Sequence, residues 1–489
     1  MELDFSANKY LYRKQYVIAP FYIERFESWN RLKINDRLYI TFHPDISVSK
    51  VESESSSITV IGYILDPTNI NYTDENILDH LLSKSSSVND LVKLLDNYGG
   101  RWVIVYENGG NTFIINDAAG LRQVFYTYDE NGDFWCSSHS KILSEELNIE
   151  RSREFENLSD LPGFDANGEF WFPSGVSHYV NVKHLVPNHY LDVRQRKSCR
   201  YFPYESLAEI DFNDSVKLSS NLIKGLLLAA SKRFKLALPI TAGWDSRVLL
   251  AASKDIKDDI YFYTLKYSYM SPKDDDLIIT NKLLSKLNLK QHILECPDRM
   301  SGDFKDIHAF HSVLINESWG SITQGLFNHY PQDRVCVKGN VSEIARNFFG
   351  THSNENVDEN LLAKFAGVKG RSVPTKHFKK WLEEIKDICI KYNYQVTDLF
   401  YWEQRMGSWQ ALSQLEGDIV QETFTPYNCR KLLNYMLGVN VKYRDFPDYK
   451  LYKKIIEEMW EETLSYPINP SKNNLKNKLK QYIKRALHA

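Results

Sequence analysis

Apolar and polar residues alternate in short runs through the first 200 positions of the chain. RLYITF (37–42), SITVIGYI (57–64), RWVIVYE (101–107), NTFIIN (111–116), QVFYTY (123–128) and DFWCSS (133–138) are rich in β-branched and aromatic residues, and each is a predicted strand. Asn108-Gly109 and Asn131-Gly132 sit between such runs. Asn-Gly supplies the two positive φ angles of a tight hairpin. DENGD (129–133) lacks the remaining ligand spacing of a calcium loop and reads as hairpin. Between the strands, residues 76–100 space Leu, Ile and Val as a helix does and close on Gly99-Gly100, an expected C-cap. The first half therefore predicts an antiparallel sheet domain with helices packed on it.

From about residue 212 the period changes. Residues 215–234 read as a helix, KLALPIT as a strand, DSRVLLAAS as a helix, IYFYTL (260–265) as a strand, 274–288 as a helix and QHILE (291–295) as a strand. Alternating strand and helix implies a parallel sheet with crossovers, and ligands of such sheets sit at the carboxyl ends of the strands. Beyond 375 nearly every stretch has helical spacing.

A chain of 489 residues, 43% of them hydrophobic, is long enough for two or three domains with large cores. The net charge of −3 gives no pull toward nucleic acid or membrane. Six scattered cysteines show neither metal spacing nor a disulfide framework, as reduced thiols in the cytoplasm would. MELDFSANKY has no apolar signal core, and no uncharged stretch approaches bilayer length, so a soluble cytoplasmic protein is expected. The tail 471–489 carries six Lys or Arg and one apolar face. It reads as a docked helix, with binding to an anionic surface or a nucleic-acid-like substrate as the other reading. His308 and His311, at helix spacing, read as a packed or solvated pair.

The stretch LPITAGWDSRVLLAAS (238–253) puts small residues where a strand stops and a helix starts. Backbone amides of such a turn, with the positive end of the helix dipole, favour phosphate oxygens. Gly243 permits close approach, Thr241 and Ser246 offer hydroxyls, and Asp245 offers a carboxylate for magnesium. An ordinary turn with an N-capping Asp or Ser has the same composition, so this stretch alone leaves both readings open. No Walker motif GxxxxGK[ST] occurs.

Read in order, three motifs resemble the asparagine synthetase family of N-type ATP pyrophosphatases. ITAGWDS resembles the SGGxDS pyrophosphate loop, with Thr241 and Ala242 in place of Ser and Gly. KGNVSEIARNFFG (338–350) resembles the second phosphate motif, GxGxDE. Gly339 matches its first Gly, Glu343 its metal-binding Asp, and Val341 stands where Gly is usual. ETFTPYNCRKLL (422–433) resembles the E-x-x-x-P segment of the acceptor pocket. GGRWVIVYENGGNTFIINDAAGLRQVFYT (99–127) resembles the family's glutaminase domain, with Asp117, Gly120 and Arg122 on matching positions. That glutaminase acts through a cysteine at the mature N-terminus. Residue 2 here is Glu, so the domain is expected to keep the fold without the amidase reaction.

The resemblance implies an α+β, Ntn-hydrolase-like layered sheet domain over 1–205, a degenerate glutamine amidotransferase. Over 206–489 it implies an α/β parallel-sheet ATP pyrophosphatase domain with a helical C-terminal part. It implies an AMP-forming amide ligase that uses ATP and Mg2+ to adenylate a small-molecule, peptide or sugar acid, then couples it to an amine without glutamine. A homodimer is compatible with it. Nucleotide would meet Leu238, Thr241, Ala242, Gly243, Asp245, Ser246, Leu265 and Gly339, with Leu238 and Leu265 bracketing adenine. Asp245 and Glu343 would hold the metal, with helix capping as their plain alternative. Arg247 and Arg346 are phosphate contacts or solvated helix arginines. Asn340 replaces a family Glu and cannot be a base, which leaves Glu422 as the amine's partner. Lys472 is the candidate for the late lysine on the adenylate's phosphate, with Lys450 as competitor. Two other readings are a nucleotide-binding scaffold without turnover and a pyrophosphatase acting on tRNA.

Overall fold

The hairpin expected at Asn108 forms with its turn one residue later. Gly99–Asn108 pairs antiparallel with Asn111–Asn116 up to Asn108 opposite Asn111, and Gly109 and Gly110 take φ of 57° and 77°. Two glycines absorb the positive angles at no Cβ cost, so Asn108 stays in the strand. The Gly99-Gly100 pair is not a helix cap. Helices span Asp74–Lys84 and Val88–Leu95, capped by Thr73 and Ser87, and Gly99 opens the next strand. Gly100 has φ 114°, and a Cβ there would lie 2.2 Å from the Tyr63 carbonyl oxygen, so the sheet itself demands glycine.

The computed structural model describes residues 8–164, 170–173, 175–314 and 317–470. Among these, the first half holds two six-stranded antiparallel sheets. One runs in the order Lys183–His184, Phe125–Tyr128, Phe134–Ser137, Tyr16–Ala19, Tyr39–Phe42, Asn30–Lys33. The other runs Lys197–Arg200, His189–Asp192, Asn111–Asn116, Gly99–Asn108, Ser56–Leu65, Val48–Glu52. Their facing sides interdigitate. Ile18, Ile40 and Cys136 of the first meet Ile61, Val103, Val105 and Ile114 of the second in one apolar layer. The Asp74–Lys84 helix covers the outer side of the second sheet, and Ser140–Leu147 covers the first.

The second half is built on a five-stranded sheet, parallel throughout, in the order His292–Glu295, Tyr261–Lys266, Lys235–Pro239, Arg334–Val337, Thr423–Phe424. The last strand lies inside the stretch expected to be helical. At two residues it is too short to show a period, and it pairs because Cys336 and Val337 present an open ladder to it. One apolar core continues from Trp102 and Ile104 through Leu226 and Leu249 to Trp460, so it crosses both halves. Residues 201–210 form neither helix nor strand before the Phe212–Arg233 helix. No helix among the described residues is long and apolar enough to cross a membrane. All six cysteines are free, and five are buried.

His308 and His311 are both buried, and the His311 ring meets the Tyr10 carbonyl oxygen at 2.7 Å. Close by, Ser312 donates to Glu416 Oε1 at 3.0 Å. Burial pushes the Glu416 carboxyl up to about 8, with the Ser312 hydrogen bond opposing. A carboxyl raised by folding binds its proton more tightly in the native state. Its stabilising contribution is therefore full below its unfolded value near 4.5 and is lost as pH rises through about 8. Relative to Glu416→Gln, the wild type should lose on the order of 3–5 kcal/mol over that window. Denaturant midpoints across pH measure it, and parallel profiles for the two proteins would reject it.

Candidate functional site

The central strands Lys235–Pro239 and Arg334–Val337 are neighbours. The strands before and after them extend the sheet in opposite directions. In open parallel sheets the reversal of strand order is where ligand crevices form at the carboxyl edge. The loop after the first strand is Thr241–Ser246, and the loop after the second begins at Lys338.

The first loop is closed by its own side chains. Ser246 Oγ accepts from the Thr241 amide (3.1 Å) and donates to the Thr241 carbonyl (3.0 Å). Thr241 Oγ1 accepts from the Gly243 amide at 3.1 Å. Asp276, in the first turn of the Asp275–Lys286 helix, accepts from the Ala242 amide at 2.6 Å. The helix then starts at Trp244, with Gly243 as a cap that provides no side-chain bond. The first-turn amides of Trp244 and Asp245 have no carbonyl of their own helix to meet and carry its positive dipole. Behind the loop, Asn469 donates its amide to the Ala242 carbonyl at 2.8 Å.

The second loop packs directly against the first. A Cβ on Gly339 would lie 2.5 Å from Asp245 Cβ, so this glycine sets the approach. Val341 is fully buried with φ 78°. That angle costs a β-branched residue about 1–3 kcal/mol, and such strain clusters at functional sites. A short turn, Ser342–Arg346, follows. Ser342 Oγ donates to Asp245 Oδ1. Arg346 reaches Asp245 Oδ2 at 2.9 Å and Glu343 Oε1 at 3.2 Å. The loops thus bring Asp245 and Glu343, far apart in sequence, to one guanidinium. Tyr449 and Tyr452 ring centroids lie 5.8 and 5.7 Å from that guanidinium carbon. Glu343 Oε2 and Tyr427 Oη are buried without a hydrogen-bond partner among the described residues. Burial, then the Asp245 charge, pushes the Glu343 carboxyl up to about 7, against the opposing pull of Arg346. Magnesium commonly takes one or two carboxylates and completes its shell with phosphate and water. The unpartnered Glu343 oxygen beside Asp245 suits that donor set. No group of three His, Cys, Asp or Glu forms a protein-only metal site among the described residues.

Other expected site residues fall elsewhere. Arg247 is no phosphate contact. It is buried, donates to the Thr463 and Tyr466 carbonyls at 2.7 and 2.9 Å, and burial lowers it to about 10. Leu238 and Leu265 do not bracket one pocket. Leu238 pairs with Phe262, and Leu265 is an odd number of residues further along. Their side chains therefore enter different apolar clusters on opposite sheet faces.

Glu422 is not at the crevice. It precedes Thr423, which pairs with Cys336, which in turn pairs with Ala237. At about 3.3 Å per residue, that register leaves it roughly 15 Å short of Thr241 along the strands. Its oxygens accept from Arg101 at 3.0 Å and Arg122 at 2.9 Å. Burial would raise its carboxyl, but Arg122, Arg101 and Lys14 hold it down to about 2, which makes a poor base. The Asn340 carbonyl accepts from Thr425 Oγ1 at 2.8 Å. Lys450 is exposed and opens its helix beside Tyr449, whose ring lies 6.0 Å from Trp244. Lys472 and the tail 471–489 lie outside the described residues. Asp117 accepts from the amides of Trp102, Leu121 and Arg122, and Gly120 takes φ 66°, so that motif builds a turn and aims Arg122 at Glu422. Sequence reasoning missed Ser342, Tyr427 and Tyr452, because a lone hydroxyl in a loop or helix carries no spacing signal.

No family model and no curated protein matches the chain. Among solved structures it is similar to the glutamine phosphoribosylpyrophosphate amidotransferase of B. subtilis complexed with ADP and GMP. That likeness has TM-score 0.26 and 9% identity over 59% of this chain and 61% of that one. It is also similar to the allosteric regulatory enzyme of purine biosynthesis (TM-score 0.26, 10% identity, 62% and 73% of the two chains). A third is the glutamine-dependent NAD+ synthetase of Acinetobacter baumannii with ADP (0.21, 13%, 63% and 61%). The chain thus spans 61% of the first of these. Likeness at this level carries no argument about the site, so the functional reading rests on the geometry.

Proposed function

We propose that the chain is an ATP-dependent, AMP-forming ligase that adenylates a carboxylic acid and passes the acyl group to an amine. The meeting of Asp245 and Glu343 at the reversal of strand order carries this reading. A carboxylate is a poor electrophile until joined to AMP, and that step places negative charge on the α-phosphate and departing pyrophosphate. The Trp244 and Asp245 amides and Arg346 are the donors for that charge. Asp245 and Glu343 would hold magnesium, which neutralises phosphate charge when bound. Glutamine supplies no nitrogen in this reading.

A second reading has one observation in its favour. The Thr241, Ala242 and Gly243 amides are already bonded within the protein, as suits a scaffold that binds nucleotide without turnover. Labelled pyrophosphate separates the two. With ATP, magnesium and a panel of carboxylic acids, the ligase moves label into ATP without any amine present. A scaffold binds nucleotide and moves none. ADP and phosphate as products would indicate acyl-phosphate chemistry and sink the ligase reading.

A further inference from the structure

Lys338 is the residue of the second loop that the proposed chemistry leaves unused. Its amide donates to the Phe424 carbonyl at 2.7 Å, so it continues the ladder of the Arg334–Val337 strand. Val335 and Val337 enter the large core, and Cys336 enters the cluster on the other face. Alternation sends the Lys338 side chain out on the Cys336 face. The next residue, Gly339, packs against Asp245, so the Lys338 backbone adjoins the metal loop while Arg101 and Asp418 are the charged groups that act on its side chain.

Among the described residues no acid forms an ion pair with Lys338. Asp418, the carboxylate whose charge acts on it, is already engaged. Arg101 holds it at 2.5 and 2.9 Å, and Gln15 Nε2 reaches Oδ2 at 3.2 Å. Glu422 is held by Arg101 and Arg122. Among the described residues, Asp418 and Glu422 are thus both engaged by the arginines of the first half. Lys338 is partly exposed, and no described residue gives its ammonium a hydrogen bond or ion pair. Burial, with Arg101 nearby, lowers its pKa, while Cys336 and Asp418 oppose. A half-buried cation without a partner is costly unless a ligand supplies the missing charge.

We propose that Lys338 receives the carboxylic acid substrate, as the cation that anchors its negative charge on the Cys336 face of the sheet, next to the metal loop. This rests on the ligase reading for the identity of the anion, but not for the existence of the site. A lysine ammonium is a compact point charge, suited to a small carboxylate whose remaining contacts set its specificity.

Cyanate tests the site in the full-length protein. Its protonated form, isocyanic acid, adds to an unprotonated amine to give a carbamyl-lysine, with no group leaving. Peptide mass spectrometry should find Lys338 modified faster than the exposed Lys286 and Lys380, the direction that burial of its ammonium gives. Succinate, glutamate and acetate should slow that reaction, and magnesium–ATP should not. Protection by magnesium–ATP alone would assign Lys338 to phosphate and overturn the proposal. A rate equal to that of Lys286 would overturn it too. In pyrophosphate exchange with the supporting acid, Lys338→Met should raise the KM for that acid at least about tenfold, leave the KM for ATP unchanged and be partly rescued by Lys338→Arg. If no acid supports exchange while carboxylates still protect Lys338, the ligase reading fails and the anion site stands.

Discussion

Glu422→Gln should lower the stability of the folded chain by about 3–5 kcal/mol, the range for removing one partner of a buried ion pair. Arg122 is 1% exposed and has Glu422 as its close counter-ion at 2.9 Å, while Asp418 lies 3.9 Å from its other nitrogen. The amide would leave that guanidinium facing an NH2 group in a dry setting. Arg101 would keep Asp418. Denaturant unfolding measures the loss. The sign with pH follows from a carboxyl held below its unfolded value. The stabilisation is full above about 4.5 and disappears as pH falls through about 2, so the gap between wild type and variant should close in acid. If Glu422→Gln instead unfolds like the wild type yet stalls amide formation, Glu422 belongs to the chemistry after all. The network matters for architecture too. Lys14, Arg101 and Arg122 come from the first half, Asp418 and Glu422 from the second, so the pairs tie the antiparallel half to the parallel sheet.

That network also shows what a sequence can and cannot disclose. The strands announced themselves because period two is local, and the Thr241–Ser246 turn because its small residues break a strand abruptly. The pairing of Asp245 with Glu343 was legible only through the order of two motifs, since neither contains the other's partner. Glu422 was misplaced for the same reason in reverse. Its spacing to Pro426 is local, but its register against Cys336 and its two arginines are tertiary. Arg247 and Arg346 look alike in sequence, each just after an acid at the start of a helical turn. One is buried under the Thr463 and Tyr466 carbonyls, and the other faces the crevice. Lys338 stands just before the second phosphate motif and matches none of its positions, and only the alternation of the strand and the engagement of Asp418 by Arg101 single it out.

Asp245→Asn and Glu343→Gln should each cut pyrophosphate exchange by about 10²–10³-fold while leaving the fold in place. Asp245 lies at the start of a helix with its side chain 26% exposed, and Glu343 occupies a short turn with its side chain 15% exposed. Either substitution leaves Arg346 one carboxylate to pair with. Glu343→Gln also removes a carboxylate that burial and the Asp245 charge already disfavour, so its melting temperature should hold or rise. The loss of activity comes from a different source. Two carboxylates at one guanidinium can exchange that partner for a divalent cation only if both charges are present when phosphate arrives. With one gone, magnesium binds less tightly, so each variant should need a higher magnesium concentration for half-maximal exchange. The double variant should fall little below the worse single one, because the pair acts on a single ion. Nucleotide binding without added metal gives the control: it should change little, since the Trp244 and Asp245 amides remain. Wild-type exchange rates in both single variants would remove the metal from these residues. Full exchange at unchanged magnesium requirement in Glu343→Gln alone would leave Asp245 as the ligand and Glu343 as the counter-ion that orients Arg346.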